Sequence, residues 1–364
     1  MTRLEEILSA RELPDVMRLK SGRRVKTVED FEKHKEEIKI LLQEYEYGYI
    51  PPKPRHMRVE EVSCDEGFCA GKAVHRLMRI ELEFEGGKSF SFPLRCMIPQ
   101  GKTNIPAFVH ISFRNETAHH YQPTEEIVDR GYAVFAFDYR DVTSDDGNFK
   151  NGIAPMLAPS RRRLNAPGKI AMWAWAAMRV MDYVSTLDYI DKSNVAVIGH
   201  SRLGKTALLT GAFDTRFKYV ISNNSGCSGA AITRGKIGEK MDAITNVFPY
   251  WFCPRYTKEA IAGRIPEKFD QHSLLALSVP RHLIVGSAEE DLWADPTSEY
   301  LSLVAVDEVY RLYGKTGLIH PDEIPAPKTY LGEGDAMYHI RHGKHYLSRE
   351  DWNAYMDYID KFIK

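Results

Sequence analysis

A three-layer α/β/α sandwich around a mostly parallel sheet is the fold class this sequence predicts, on three observations. From about residue 105 onward, short and continuously apolar runs recur along the chain. Stretches with helical spacing separate them, as parallel crossovers require. One run, NVAVIG (194–199), leads directly into His200 and Ser201, with a helical pattern immediately after.

Taken in order, residues 1–60 form an accessory segment expected to pack on the core, and residues 61–364 the main domain. Within the first segment, Phe31, Ile38, Leu41 and Leu42 recur at roughly helical spacing among charges. Gly48 and the run Pro51-Pro52-Lys53-Pro54 then break the chain. Residues 75–99 predict two strands joined at Glu85-Gly86-Gly87, the second of them alternating as a half-buried strand does. The later runs AFVHIS (107–112), AVFAFDY (133–139), NVAVIG (194–199), KYVIS (218–222) and HLIVGS (282–287) suit strands covered on both faces. Trp173, Ala177, Val180, Val184 and Leu187 give the preceding helix an apolar face. A capping box at Ser348-Arg349-Glu350-Asp351 opens the last helix, whose apolar face carries Trp352, Tyr355, Met356, Ile359 and Phe362.

Composition narrows the function classes. Apolar residues make up 43% and charged residues 27% of 364, an ordinary globular balance. With 49 Lys plus Arg against 50 Asp plus Glu, no net field favours nucleic acid or an acidic membrane. No apolar run approaches the roughly 20 residues that cross a bilayer. The N-terminus has no unbroken apolar stretch of the signal-peptide kind, so a cytoplasmic location is expected, or secretion if a signal has been trimmed. Five cysteines without a CxxC pair, and no HExxH, argue against a disulfide framework and a zinc site. No metal and no cofactor are expected. The oligomeric state is not legible.

The chemistry concentrates at Gly199-His200-Ser201-Arg202. A serine at a tight strand-to-helix turn is thrust out at the carboxyl edge of the sheet, which is the nucleophile elbow of the α/β-hydrolase fold. The helix after it aims free N–H groups at an oxyanion forming beside Ser201. The usual G-x-S-x-G is altered here: Leu203 occupies the place of the second glycine, which arrives at Gly204. Arg202 either adds a charged donor to the oxyanion hole or is a surface arginine capping nearby carbonyls. Lys205 on the same turn suggests a locally positive mouth, favouring a substrate that carries a carboxylate.

A serine nucleophile needs a base, and the base needs an orienting acid; in this fold the order is serine, acid, histidine. The acid is expected after HLIVGS, where Glu289, Glu290, Asp291 and Asp295 are available; Asp291 is the first choice and Glu290 the alternative. The base is expected just before the last helix, where His339, His342 and His345 lie, and His345, nearest the capping box, is preferred.

Gly199-His200-Ser201-Arg202-Leu203-Gly204-Lys205 resembles the G-C-S-R-x-G-K signature of carbohydrate esterase family 15, the glucuronoyl esterases. The resemblance continues through ISNNSGCSGAAITR (221–234), IGEKMDAITNVFPYWF (237–252), DQHSLLALSVPRH (270–282), SAEEDLWADP (287–296) and YHIRHGKHYLSREDW (338–352). It implies a metal-free three-layer hydrolase cutting the ester between 4-O-methyl-glucuronic acid on xylan and a lignin alcohol, with a small-molecule or oligosaccharide ester as its substrate. By position it implies Ser201 as nucleophile, Arg202 as oxyanion donor, His345 as base, and Lys205, Glu239 and Trp251 as sugar contacts. Fungal members carry a glutamate acid where this chain has Asn224, which sends the acid to the later loop. His200 replaces the cysteine of the signature.

Two other functions use the same residues differently. An acetyl xylan esterase or general carboxylesterase would turn over acetylated sugars, and an inactive carbohydrate-binding protein would keep the fold without turnover. Glycoside hydrolysis would need paired carboxylates and leaves the Ser201 elbow unexplained.

Overall fold

The computed structural model describes residues 2–116, 119–158 and 162–363. Ten strands form a single sheet: β1 (His56–Asp65), β2 (Ala73–Glu83), β3 (Ser89–Pro99), β4 (Ile105–Ser112), β5 (Ala133–Asp138), β6 (Ile190–His200), β7 (Tyr219–Asn223), β8 (His282–Ala288), β9 (Thr329–Leu331) and β10 (Ala336–Arg341). Their spatial order is β1-β2-β3-β5-β4-β6-β7-β8-β10-β9. The strands from β5 through β10 in that order are mutually parallel, and the antiparallel pairings lie toward the two edges.

The apolar runs become central strands because both their faces are covered. On β6, Val195 and Val197 join the core on one side, while Ala196 and Ile198 join the core on the other. On β8, Leu283 and Val285 face one way and Ile284 the other. Helices Lys169–Val184, Arg202–Phe213 and Pro296–Val304 contribute to the first core, and Arg349–Asp360 covers the second. Each fully buried Val, Leu or Ile contributes about 1.5–3 kcal/mol, so a sheet covered twice is strongly favoured over one left half wet. Ser348 caps the last helix, with Asp351 completing the box.

The N-terminal residues share the first core. Helix Val28–Leu42 buries Phe31, Ile38 and Leu42, and Tyr47 follows in a single π turn. The sheet itself starts at His56, inside the segment assigned to the accessory part. Among the described residues no helix is long and apolar enough to cross a membrane.

Candidate active site

The elbow at Ser201 is strained in the manner its position demands. Ser201 has φ 58° and ψ −126°, a conformation L-residues rarely adopt. Its N–H donates to the Asn223 carbonyl at 2.8 Å, tying the turn to the end of β7. A Cβ at Gly199 would lie 2.0 Å from the Leu203 carbonyl, and one at Gly204 would lie 3.0 Å from Ser225 Cβ. These contacts explain the altered motif. The close approaches fall at residues 199 and 204, while Leu203 is turned wholly into the core.

Asp291 and His345 meet beside this turn. Asp291 follows β8 and His345 precedes the last helix, so the parallel sheet delivers both to the carboxyl edge where Ser201 stands. His345 Nδ1 lies 2.6 Å from Asp291 Oδ2. Asp291 is buried and His345 is open to solvent. Burial alone would push the Asp291 carboxyl up. Hydrogen bonds from His345, Asn224 and the Ala294 N–H, together with the His345 charge, outweigh it and hold the group below its ordinary value. The ionised carboxylate only accepts, so Nδ1 carries a proton, and in the neutral ring Nε2 then keeps its lone pair. Among the described residues, no hydrogen bond yet joins Ser201 Oγ to this ring. The ring instead lies against His200, with centroids 4.5 Å apart.

The other acidic and imidazole candidates are placed elsewhere. Glu290 is exposed. Glu289 pairs with exposed His342. Asp295 caps the helix Pro296–Val304 through Ser298 and also accepts from the Ile237 N–H. His339 is buried on β10, 3.3 Å from Asp351. Asn224, at the position of the fungal glutamate, donates from Nδ2 to Asp291 at 2.8 Å and so supports the later acid.

Arg202 lies within an aromatic enclosure. Its guanidinium is 4.6 Å from the Trp251 centroid, 5.2 Å from Phe248 and 5.7 Å from Phe113. Nη1 pairs with Asp145, whereas Nε is buried and has no hydrogen-bond partner among the described residues. Lys205 is buried and donates to the Ser225 carbonyl. Burial lowers its pKa against the attraction of Glu239. The positive mouth inferred from the sequence is therefore corrected: one cation is paired with Asp145 and the other is drawn under the surface.

A second correction concerns Trp251. It is only 3% exposed, stacks on Phe248 with centroids 3.9 Å apart, and donates from Nε1 to Asp145 at 2.7 Å, so it offers no face to a sugar. Trp293, 59% exposed, donates instead to Glu239 Oε1 at 3.2 Å. The Glu239 N–H in turn donates to the Trp293 carbonyl at 2.9 Å, fixing the two residues as a unit.

A model of the fungal glucuronyl esterase family matches residues 82–314. The carbohydrate esterase MZ0003, from an unknown prokaryotic organism, is 31% identical over 96% of this chain and 89% of its own. The chain belongs to carbohydrate esterase family 15. A promiscuous family 15 esterase from a marine bacterial metagenome superposes on it with a TM-score of 0.87 at 30% identity, covering 97% of both chains. A glucuronoyl esterase from Solibacter usitatus reaches a TM-score of 0.88 at 31% identity, covering 96% of this chain and 97% of the other. The 4-O-methyl-glucuronoyl methylesterase of Neurospora crassa is 29% identical over 83% of this chain and 73% of its own. Membership makes this protein a carboxylic ester hydrolase of the α/β-hydrolase fold.

Three residues of this family 15 esterase lie at the site without having stood out in the sequence. Asp145 belongs to an acidic Asp-Asp-Gly run that looks like a solvated loop. Trp293 lies in the SAEEDLWADP stretch and is singled out only by its exposure. Arg341 is buried and ties the His345 loop down, donating to the carbonyls of His342 at 2.8 Å and Lys344 at 3.1 Å, to that of Tyr346, and to Asp351 at 2.8 Å. Among the described residues no cluster of three or more His, Cys, Asp or Glu could hold a metal.

Proposed function

We propose that this family 15 esterase hydrolyses esters of glucuronic acid or its 4-O-methyl ether, with Ser201 as nucleophile, His345 as base, Asp291 as orienting acid and Arg202 as oxyanion donor. The observation that carries the proposal is the 2.6 Å bond between His345 and buried Asp291 at the sheet edge where the Ser201 turn projects. His345 Nε2 takes the Ser201 proton as Oγ attacks the uronoyl carbonyl. The tetrahedral oxyanion receives the N–H of the helix start and an N–H of the Arg202 guanidinium. A donor of this kind is worth about 3–4 kcal/mol of transition-state stabilisation. The ester C–O bond then breaks, and the alcohol leaves with the proton from Nε2. Water, deprotonated by the same nitrogen, attacks the acyl-enzyme and releases the uronic acid and Ser201.

The glucuronoyl part of the proposal draws on the Solibacter usitatus and Neurospora crassa relatives, whose names state that activity. The side chains around the site support it: Glu239 and Trp293 offer an acceptor and a ring face for sugar hydroxyls, and Lys205 lies within reach of the Glu239 charge.

Hydrolysis of benzyl glucuronate beside para-nitrophenyl acetate, by the wild type and Ser201→Ala, tests the proposal. A serine-dependent preference for the glucuronate is expected. Preference for the acetate would move the protein to the general or acetyl esterases, and full activity of Ser201→Ala would remove the nucleophile.

A further inference from the structure

We infer that Asp145 is a positioning residue that fixes the Arg202 guanidinium for oxyanion binding, an inference that rests on the role proposed for Arg202. Asp145 stands in the loop after Tyr139–Val142, far from Arg202 in sequence, yet its carboxylate is the centre of a converging set of donors. Oδ2 accepts from Arg202 Nη1 and from the Tyr139 hydroxyl at 2.8 Å. Oδ1 accepts from Trp251 Nε1 at 2.7 Å, and the Asp145 backbone carbonyl accepts from the Tyr250 hydroxyl at 3.0 Å.

The consequence for Arg202 is geometric. Trp251, Phe248 and Phe113 surround the guanidinium, but ring faces attract a cation without choosing which N–H points where. Among the described residues, the hydrogen bond to Asp145 is the one that the Arg202 side chain makes. The same carboxylate holds the Trp251 indole on which the guanidinium rests. One anion therefore sets both the support of the planar fork and its rotation, while among the described residues the buried Nε has no hydrogen-bond partner. A charged donor that does not reorganise during the reaction is what electrostatic stabilisation of an oxyanion requires. The pairing has an opposing effect, since the carboxylate offsets part of the Arg202 charge. The proposal holds that orientation outweighs that loss.

A double-mutant cycle tests it, because a merely structural Asp145 would act whether or not Arg202 is present. Wild type, Asp145→Ala, Arg202→Met and the double variant are compared for kcat and KM on benzyl glucuronate, with thermal unfolding measured alongside. Asp145→Ala is expected to lower kcat by roughly 10- to 100-fold with KM within about threefold, on the scale of a weakened oxyanion donor. In the Arg202→Met background, the same change is expected to alter kcat by less than about twofold. Equal losses on both backgrounds, or no loss in the wild-type background, would overturn the positioning role. Wild-type activity in Arg202→Met would overturn the oxyanion role itself and leave Asp145 nothing to position. If Asp145→Ala does not fold, Asp145→Asn enters the same cycle with the same expectations.

Discussion

Asn224 and His345 donate to one and the same oxygen: Asn224 Nδ2 lies 2.8 Å, and His345 Nδ1 2.6 Å, from Asp291 Oδ2. Two donors on a single buried carboxylate oxygen favour its ionised form, which in turn fixes the imidazole tautomer. Asp291→Asn is therefore expected to lower kcat/KM on benzyl glucuronate by about ten-thousand-fold, since the amide neither carries charge nor enforces Nδ1–H. Asn224→Ala keeps the charge and removes one donor, so a loss of about tenfold or less is expected. Glu290→Gln is expected to stay within about twofold, as the side chain is exposed. The reverse pattern, with Glu290→Gln crippling and Asp291→Asn mild, would transfer the acid role to Glu290.

Why these residues were legible while others were not follows from how each is buried. The strands β4 to β8 announce themselves because cover on both faces demands unbroken apolar runs. Their ends point to Ser201 and to the loop holding Asp291. β10 did not stand out, since Ala336–Arg341 includes His339 and Arg341, whose burial is offset by Asp351. β1 is an edge strand with most of its side chains exposed, so it carries no such run. Trp251 and Trp293 are indistinguishable as letters, and packing alone decides which one is reachable. Asp145 was hidden because its partners Arg202 and Trp251 are joined to it only by the fold.

The two tryptophans should separate in the laboratory as they do in space. Trp293→Ala is expected to raise KM for benzyl glucuronate while leaving thermal stability nearly unchanged, because its ring is mostly in solvent. Trp251→Ala removes a ring buried against Phe248 and Arg202, and is expected to cost about 3–5 kcal/mol of stability, read by denaturant unfolding. A Trp293→Ala variant with unaltered KM would exclude this ring from substrate binding.

The acid limb of the pH profile should report one proton. His200 is buried against His345, and burial first, then the His345 charge, holds its pKa down to about 3. Asn223 Nδ2 donates to the Tyr355 hydroxyl at 2.8 Å, leaving Asn223 Oδ1 to accept from His200 Nδ1 at 2.6 Å. His200 thus stays neutral over the whole range in which a catalytic imidazole titrates. Log kcat/KM plotted against pH is expected to fall with a slope of one on the acid side, folding being monitored by circular dichroism. A slope near two would show that His200 gains a proton as well.

Glu46 predicts a pH dependence of stability from the N-terminal segment. Its side chain is fully buried, with both oxygens accepting from Gln271 Nε2 at 3.1 Å, and burial raises its pKa from 4.5 to about 7. Between those values the folded protein holds a proton that the unfolded chain has released, so stability falls as pH rises through this window. The contribution is complete below the unfolded value and is lost once pH passes the folded one, a change of about 3 kcal/mol. Glu299, also buried and raised to about 7, adds a term of the same sign. Glu46→Gln cannot ionise, and is expected to lose less stability than wild type between pH 5 and pH 8 by an amount of that order. Urea unfolding of both proteins at the two pH values measures it. Identical pH dependence would mean that Glu46 releases no proton on folding or unfolding in this range, and that its pocket already accommodates the charge.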